Sequence, residues 1–253
     1  MAAYKESPFL PICLASLKAQ TVGSEIVLAT STPNNYLAEM AQRFDVRYVV
    51  GDHKSGIGRD WNFAFSQSSA DFVTVAHQDD AYAPVYTERL MGRVAVADNP
   101  ILAYTDYAEL RGDQIVANNR LLRIKRLMNA ALIPAFAARS RFARDRVFSL
   151  GCPISTPSVA YNRLRFPDLR FDDRLGTNLD WDMWQRMSAE PGSFVYEPEV
   201  LVLHRVHAES ETSAGIAGGY RQAEDYEMYR RYWPAPVAKV LAGLYAKSYA
   251  SND

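Results

Sequence analysis

The sequence has little cysteine, little net charge and no long apolar run, and each of these shortages excludes a class of protein. Its 253 residues include two cysteines, Cys13 and Cys152, which are too few for a disulfide framework and lack the spacing of a metal site. A formal net charge of -1 gives no overall attraction to nucleic acid. No apolar stretch approaches the length of a membrane span, and the N-terminus lacks a signal-peptide apolar region. These absences predict a cytoplasmic protein that binds no nucleic acid, with contact at the inner face of the membrane left open.

What the first half does contain is an alternation of helix-length and strand-length segments. Segments with helical apolar spacing alternate with short runs such as EIVLA (25–29), VRYVV (46–50) and FVTVA (72–76). Strands separated by such helices predict parallel pairing, and therefore a doubly wound, mostly parallel α/β sheet flanked by helices. Ligands of such sheets bind beyond the carboxyl ends of the strands. We expect one domain over residues 1–215 and a C-terminal helical extension over 216–253, packed on that domain.

The strand predicted at 72–76 stops at the polar residues HQDD (77–80). Two adjacent carboxylates repel each other, so Asp79 and Asp80 after a buried strand indicate a compensating cation. Hard cations such as Mn²⁺ or Mg²⁺ take carboxylate oxygens and leave positions for phosphate oxygens and water. A turn that begins with these aspartates explains the same residues, because aspartate favours turns.

Other segments place this acidic pair in a wider pattern. In chain order they are SPFLPICLASLKAQT (7–21), SEIVLATST (24–32), GIGRDWNFAF (56–65), LDWDMWQRM (179–187) and FVYEPEVLVLHRVHAESET (194–212). Together with HQDDAYAP (77–84), this ordered set resembles the family 2 glycosyltransferases of the GT-A fold. The resemblance implies transfer of a sugar from a nucleotide-diphosphate sugar to a glycan or lipid-linked acceptor. It also implies inversion at the sugar carbon and assistance by Mn²⁺ or Mg²⁺.

The resemblance implies roles for individual residues. Asp180 matches the catalytic base, although the family more often has a glutamate where Leu179 stands. Asp79 and Asp80 match the residues that hold ribose and metal. His207 matches a position that can ligate the metal or contact the diphosphate, and a surface loop histidine is the alternative interpretation.

Four more residues are candidates for binding the nucleotide sugar. The loop after the second strand of the family reads ATST (29–32), so the hydroxyls of Thr30 and Ser31 stand where the family usually has aspartates. Asp60 lies at a glycine-opened helix start and is a candidate contact for base or ribose. Arg205 could neutralise diphosphate charge or pair with a glutamate. We interpret His204 as the end of an apolar strand.

Several alternatives stay open. Only Ala2 to Lys5 could represent the family's opening strand, so we expect a truncated first strand, from a shortened product or from residues lost upstream. The arginine-rich segment 120–146 is typical of a surface for anionic lipid, but a solvated basic face over core leucines is the interpretation that we favour from the sequence. A non-catalytic nucleotide- or sugar-binding relative is one alternative function. A nucleotidyltransferase is another, although the glycine- and basic-rich phosphate loop expected of one is absent.

Overall fold

The computed structural model describes residues 1–207 and 219–247. Its strands are β1 (Val27–Thr30), β2 (Arg47–Val50), β3 (Phe72–Thr74), β4 (Ala81–Tyr82), β5 (Pro100–Arg111), β6 (Gln114–Val116), β7 (Val159–Asn162) and β8 (Ser193–Val206). Its helices are α1 (Leu10–Lys18), α2 (Asn35–Arg43), α3 (Ile57–Ser66), α4 (Tyr86–Val96), α5 (Arg120–Ala130), α6 (Ala135–Arg139), α7 (Arg141–Phe148), α8 (Leu179–Met187), α9 (Tyr220–Arg230) and α10 (Ala235–Ala246). A short 3₁₀ turn spans Thr156–Ser158.

The strands form two sheets flanked by helices. β1 and β2 pair in parallel, and the larger sheet has the order β3-β7-β5-β8-β4, with β6 added to β5. Among the strands described in the larger sheet, β5 and β8 run parallel to each other and the other pairs are antiparallel. The predicted α/β class is confirmed, and the expectation of mostly parallel pairing is corrected to a mixed sheet. The difference arises because β4, β6 and β7 are short returning strands, which alternating strand–helix patterns do not reveal.

Residues 1–3 join the two sheets. Ala2 forms parallel bridges with Ala29 of β1 and with His77, which follows β3. The backbone N–H of Ala3 donates to the Ala29 carbonyl at 2.8 Å. Next to this bridge, a cleft of about 480 Å³ lies between β1 and β3 and is also lined by residues of α4. The bridge brings the loop after β1 beside residues 77–80, so both predicted nucleotide-binding segments share one edge of the molecule.

The two C-terminal helices pack into the main core. Met228 and Tyr229 of α9 and Ala238 of α10 are buried in the same apolar cluster as Trp181 of α8. The Tyr229 ring lies edge-on against Trp181, with 5.1 Å between the ring centroids. The boundary predicted between residues 215 and 216 lies outside the described residues, so the division into domain and extension stays a prediction.

Candidate functional site

A cavity of about 490 Å³ lies beside the ends of β3 and β8. Its volume is in the range of about 300–1,000 Å³ that is usual for small-molecule sites. The cavity brings together six of the residues predicted from the sequence: Asp60, Asp79, Asp80, Asp180, Arg205 and His207.

The Asp80 carboxylate forms part of the cavity wall although the residue is only 2% exposed. Its Oδ1 accepts a hydrogen bond from the backbone N–H of Arg205 at 2.8 Å and lies 3.1 Å from Nδ1 of His204. Burial opposes the charged carboxylate, but His204, His77 and the Arg205 hydrogen bond outweigh burial and hold the pKa of Asp80 below its ordinary value. The other oxygen, Oδ2, is buried and accepts no hydrogen bond from the residues described. Such an oxygen is costly in a folded protein, which indicates a ligand at this atom.

Asp79 is fixed next to it by three contacts. Its Oδ1 accepts a hydrogen bond from Oγ of Ser7 at 2.6 Å, and its Oδ2 lies 3.3 Å from Nε2 of His207. Its backbone carbonyl accepts a hydrogen bond from Nε of Arg205 at 2.9 Å. The Arg205 guanidinium also lies over the ring of Phe9, 4.0 Å from the centroid. Arg205 therefore holds the acidic turn in place, in addition to lining the cavity.

These groups fit a divalent cation that is shared with a bound ligand. Within residues 1–207 and 219–247, no three His, Cys, Asp or Glu side chains converge closely enough to hold an ion by themselves. Oδ2 of Asp80, Oδ2 of Asp79 and Nε2 of His207 are nevertheless atoms of the kind that Mn²⁺ binds, and all three residues line the cavity. A cation here needs oxygen atoms from a diphosphate or from water to complete its coordination.

Two histidines lie next to Asp80, and the sequence analysis predicted this contact for neither of them. His204 does lie near the end of an apolar strand, as interpreted, but it also contacts Asp80. Nδ1 of His77 lies 3.7 Å from Oδ2 of Asp80, and the His77 ring stacks on Trp61 with 5.0 Å between centroids. The contact of His204 with Asp80 follows from the antiparallel register of β4 on β8, in which Ala81 lies opposite Leu203, so no spacing within the sequence indicates it.

Asp60 is surrounded by hydrogen-bonding groups of the loops that precede its helix. Its Oδ1 accepts from Oγ of Ser31 at 2.6 Å and lies 2.8 Å from Nε2 of His53. Its Oδ2 accepts from Oγ of Ser55 at 3.1 Å and from the N–H of Gly56 at 3.2 Å. The fold therefore places a carboxylate beside the loop after β1, where the sequence itself has only hydroxyls.

Neither Thr30 nor Ser31, both predicted to contact the nucleotide sugar, lines the cavity. Thr30 is 1% exposed, and its Oγ1 accepts a hydrogen bond from the N–H of Thr32 at 3.0 Å. This hydroxyl shapes the loop that presents Ser31 to Asp60.

Asp180, in the first turn of α8, lines the same cavity. Its Oδ2 accepts a hydrogen bond from Oγ1 of Thr156 at 2.8 Å, and its Oδ1 accepts from the N–H of Trp181 at 2.6 Å. Burial raises the pKa of Asp180 above its ordinary value despite these bonds. Asp182 points elsewhere, since its oxygens lie 2.8 Å from Nε of Arg186 and 2.8 Å from Nη1 of Arg231.

Charged side chains hold both ends of α8. At the N-terminal end, Glu224 of α9 accepts hydrogen bonds from the backbone N–H groups of residues 176–178 at 2.6–3.0 Å. At the other end, Arg144 of α7 donates to the carbonyls of Ser188 and Glu190, both at 2.8 Å. A negative charge at a helix N-terminus and a positive charge at its C-terminus both complement the helix dipole. The helix that carries Asp180 is thus positioned by residues of two neighbouring helices.

The start of α8 also lies directly against the first turn of α3. A Cβ atom added at Gly58 would lie 2.7 Å from Cα of Asp173 and 2.7 Å from Cδ2 of Leu179. Only glycine permits this approach, which brings the helices of Asp60 and Asp180 to the same cavity.

A comparison with known protein families identifies the first part of the chain. The model of glycosyl transferase family 2 matches residues 1–147, more than half of the chain. The chain belongs to glycosyl transferase family 2. This confirms the resemblance found in the motifs, including the helix start at Gly56 and the acidic pair Asp79-Asp80, which lie in the matched region.

Solved glycosyltransferase structures share the fold of this family 2 chain. The mannosyltransferase PcManGT from Pyrobaculum calidifontis, solved with GDP-Man and Mn²⁺, is 15% identical, with a TM-score of 0.63 over 99% of this chain and 68% of that chain. S. aureus TarS 1–349 is 11% identical, with a TM-score of 0.62 over 95% and 67%. Glucosyl-3-phosphoglycerate synthase from Mycobacterium tuberculosis, solved with Mn²⁺, UDP and glucosyl-3-phosphoglycerate, is 17% identical, with a TM-score of 0.58 over 88% and 75%. At these identities the likeness shows the fold alone. No curated protein matches the chain by sequence.

Proposed function

We propose that this family 2 chain is an inverting, metal-dependent glycosyltransferase that moves a sugar from a nucleotide-diphosphate sugar to a glycan or lipid-linked acceptor. One observation carries the proposal: Asp180 lines the same cavity of about 490 Å³ as the pair Asp79 and Asp80. Inverting transfer needs a base for the acceptor hydroxyl and separate stabilisation of the departing diphosphate. The cavity offers carboxylates for both tasks.

The proposed base is Asp180. Its carboxylate accepts the proton of the acceptor hydroxyl while that oxygen bonds to the anomeric carbon and the bond to the diphosphate breaks. A pKa raised by burial makes Asp180 a stronger proton acceptor than an exposed aspartate. The hydrogen bonds from Thr156 and from the N–H of Trp181 orient its oxygens.

The donor end of the cavity is proposed to lie at the acidic turn. Asp79, Asp80 and His207 would hold Mn²⁺ or Mg²⁺, which supplies charge stabilisation to the diphosphate when bound. Asp60, bonded to Ser31, is the proposed contact for base or ribose. Two observations support this assignment. The buried Oδ2 of Asp80 has no hydrogen-bond partner among the described residues, and the structures of PcManGT and of glucosyl-3-phosphoglycerate synthase contain Mn²⁺.

The test has two stages. Calorimetry with UDP and with GDP, each with and without Mn²⁺, measures nucleotide binding. A screen of nucleotide-sugar hydrolysis then identifies the donor, and the configuration of the transferred sugar reports inversion. Metal-dependent binding without hydrolysis or transfer would favour the non-catalytic relative, and formation of a nucleotide sugar from a nucleoside triphosphate would favour the nucleotidyltransferase.

We also propose a cytoplasmic location with peripheral membrane contact through residues 120–146. None of the helices described is both long and apolar enough to cross a membrane. On these helices Leu127, Phe136 and Phe142 are 75%, 79% and 72% exposed. Exposed arginines lie among them: Arg120, Arg123, Arg139, Arg141 and Arg146. Exposed apolar side chains among cations favour an anionic bilayer.

Vesicle sedimentation tests this contact. The protein should sediment with phosphatidylglycerol vesicles, and the combined change of Leu127, Phe136 and Phe142 to serine should abolish sedimentation. The control is Leu164→Ser, because Leu164 is 72% exposed and lies outside residues 120–146. Equal sedimentation of the wild type, the triple variant and the Leu164 variant would show that residues 120–146 are a solvated face that does not bind the membrane.

A further inference from the structure

We infer that one part of the cavity is an anion subsite, in which Lys125 and Arg221 bind a phosphate or other anionic group of the acceptor. The accepting hydroxyl of that molecule would then face Asp180. The inference rests on the proposed function for the role of Asp180, and it adds the chemical class of the acceptor.

The first observation is the environment of Lys125. Its helix, α5, contributes Leu121 and Lys125 to the cavity wall. Nζ of Lys125 donates a hydrogen bond to Oη of Tyr107 at 2.9 Å. The carboxylates that flank Tyr107 on β5 are paired elsewhere: Asp106 with Arg126, and Glu109 with Arg111. Within the part of the chain that the structure describes, Lys125 therefore has a phenol oxygen as its partner and forms no ion pair.

In this position the ammonium group of Lys125 is available to bind an anion. Burial opposes the charged form, but the interactions with Tyr107 raise the pKa of Lys125 above its ordinary value, so the group is charged at neutral pH. An ammonium has three donors, and the Tyr107 bond uses one of them. A partly buried charge without a counter-charge is costly, and an anionic ligand would remove that cost.

The second observation places this cation near the proposed base. Arg221, in the first turn of α9, lines the same cavity. The charges of Lys125 and Arg221 both act on Asp180, and both also act on Cys152, another residue of the cavity wall. Arg221 therefore lies on the part of the cavity that contains Asp180, and Lys125 lies between that part and His204, on which its charge also acts.

The donor diphosphate is the alternative ligand for these cations, and the position of Arg221 argues against it. The groups that act on Asp80 are its neighbours His204, His77 and the backbone of Arg205. Arg221 acts on Asp180, the group that would contact the acceptor hydroxyl, and its helix α9 also holds the start of α8 through Glu224. Lys125 acts on both Asp180 and His204, so it lies between the two ends of the cavity. Two cations give charge-assisted hydrogen bonds to a phosphate or carboxylate, whereas a neutral acceptor offers no charge to pair with them.

Binding of matched probe pairs tests the subsite without knowledge of the donor. Calorimetry compares glycerol 3-phosphate with glycerol, and glucose 6-phosphate with glucose, on the intact chain with Mn²⁺ and the nucleotide diphosphate that binds best. A lipid arm compares phosphatidylglycerol with diacylglycerol in detergent. In each pair we expect the anionic compound to bind at least tenfold more tightly than its neutral counterpart. If the soluble phosphates bind most tightly, the anion is free; if phosphatidylglycerol does, the anion is part of a lipid. Equal binding within every pair would overturn the inference.

Matched variants separate the subsite from general electrostatics. Lys125→Gln and Arg221→Gln should each weaken binding of the anionic probe at least tenfold and leave nucleotide-diphosphate affinity unchanged. Arg43→Gln, at the exposed end of α2 and outside both the cavity and residues 120–146, should change neither. If Lys125→Gln weakens nucleotide binding and spares the anionic probe, the cations serve the donor and the inference is wrong. If the wild-type chain binds the anionic probe but no nucleotide diphosphate, the proposed function fails and the subsite remains.

Discussion

A change at Asp180 tests whether the protein is an enzyme or only a binding protein. Asp180→Asn should leave donor affinity unchanged, because the base contacts the acceptor hydroxyl, and should lower kcat by about a hundredfold to ten-thousandfold, the usual contribution of a general base. Single-turnover transfer and calorimetric donor binding measure the two quantities.

The matched control is Asp182→Asn on the same helix. Asp182 is 3% exposed and paired with Arg186 and Arg231, so its loss should lower the melting temperature and preserve transfer. If Asp182→Asn abolishes transfer and Asp180→Asn does not, the register of the motif is wrong. If both variants keep full activity, the chain has no catalytic base here.

The raised pKa of Asp180 predicts the direction of the pH profile. The base must be deprotonated, so kcat should fall as pH falls through a pKa that lies above the ordinary value of 3.8. The stability contribution has the opposite direction: for an acid whose pKa is raised by folding, it is present below the unfolded pKa and is lost as pH rises through the folded pKa. A pH–rate profile beside pH-dependent melting, each compared with Asp180→Asn, checks both signs. An acidic limb at or below 3.8 would contradict the prediction.

We expect a loss of the Asp80 charge to abolish metal binding and nucleotide binding together. Asp80→Asn keeps an oxygen for the N–H of Arg205 but removes the negative charge that a cation needs. We expect the fold to survive and the Mn²⁺-dependent binding of nucleotide to be lost, measured as the thermal shift produced by Mn²⁺ with UDP or GDP. Equal shifts in the variant and the wild type would exclude Asp80 as a metal ligand.

At the scale of elements, the stability of α8 depends on Arg144, a residue of the neighbouring helix α7. Arg144 is 1% exposed and donates to four carbonyls, those of Ala138, Gly192, Ser188 and Glu190. Arg144→Met should destabilise the protein by about 2–4 kcal/mol, because each buried carbonyl left without a partner costs about 1–3 kcal/mol and neighbouring losses are not additive. Chemical denaturation measures the loss. Arg141→Met is the control, since Arg141 pairs with Asp145 on the exposed surface.

The elements that the sequence predicts well are those whose pattern is local. The helix opened at Gly56 and the strand begun at Phe72 appear where the apolar spacing placed them. The short apolar run at residues 101–104 predicts a strand of only that length, whereas β5 continues to Arg111. Its later half contains Asp106 and Glu109, which are buried because Arg126 and Arg111 pair with them. The Asp106–Arg126 contact comes from a helix that lies beyond the strand, so periodicity within the strand does not reveal it.

At the scale of the whole molecule, the site is assembled across distances that motifs do not encode. The order of the motifs indicated Asp80 and Asp180, because each lies in a short recognisable segment. His204 meets Asp80 only through the register of β4 on β8, 124 residues apart in sequence. Glu224 meets the start of α8 across 46 to 48 residues. Such contacts depend on tertiary packing, and a single sequence contains no spacing that predicts them.

The connection between the two sheets gives the last prediction. The N–H of Ala3 donates to the carbonyl of Ala29, and Ala2 bridges β1 to His77. Ala2 and Ala3 both line the cavity. Ala3→Pro removes this donor and leaves the Ala29 carbonyl without it, at a cost of about 1–3 kcal/mol. A loss of 1 kcal/mol lowers the melting temperature of a domain this size by roughly 2–4 °C. Because β1 carries the loop to Asp60 and His77 precedes the acidic pair, nucleotide binding should weaken together with stability. Ala3→Gly keeps the N–H and should preserve most of both, so a proline variant that melts and binds like the glycine variant would show that the sheets are joined by other contacts.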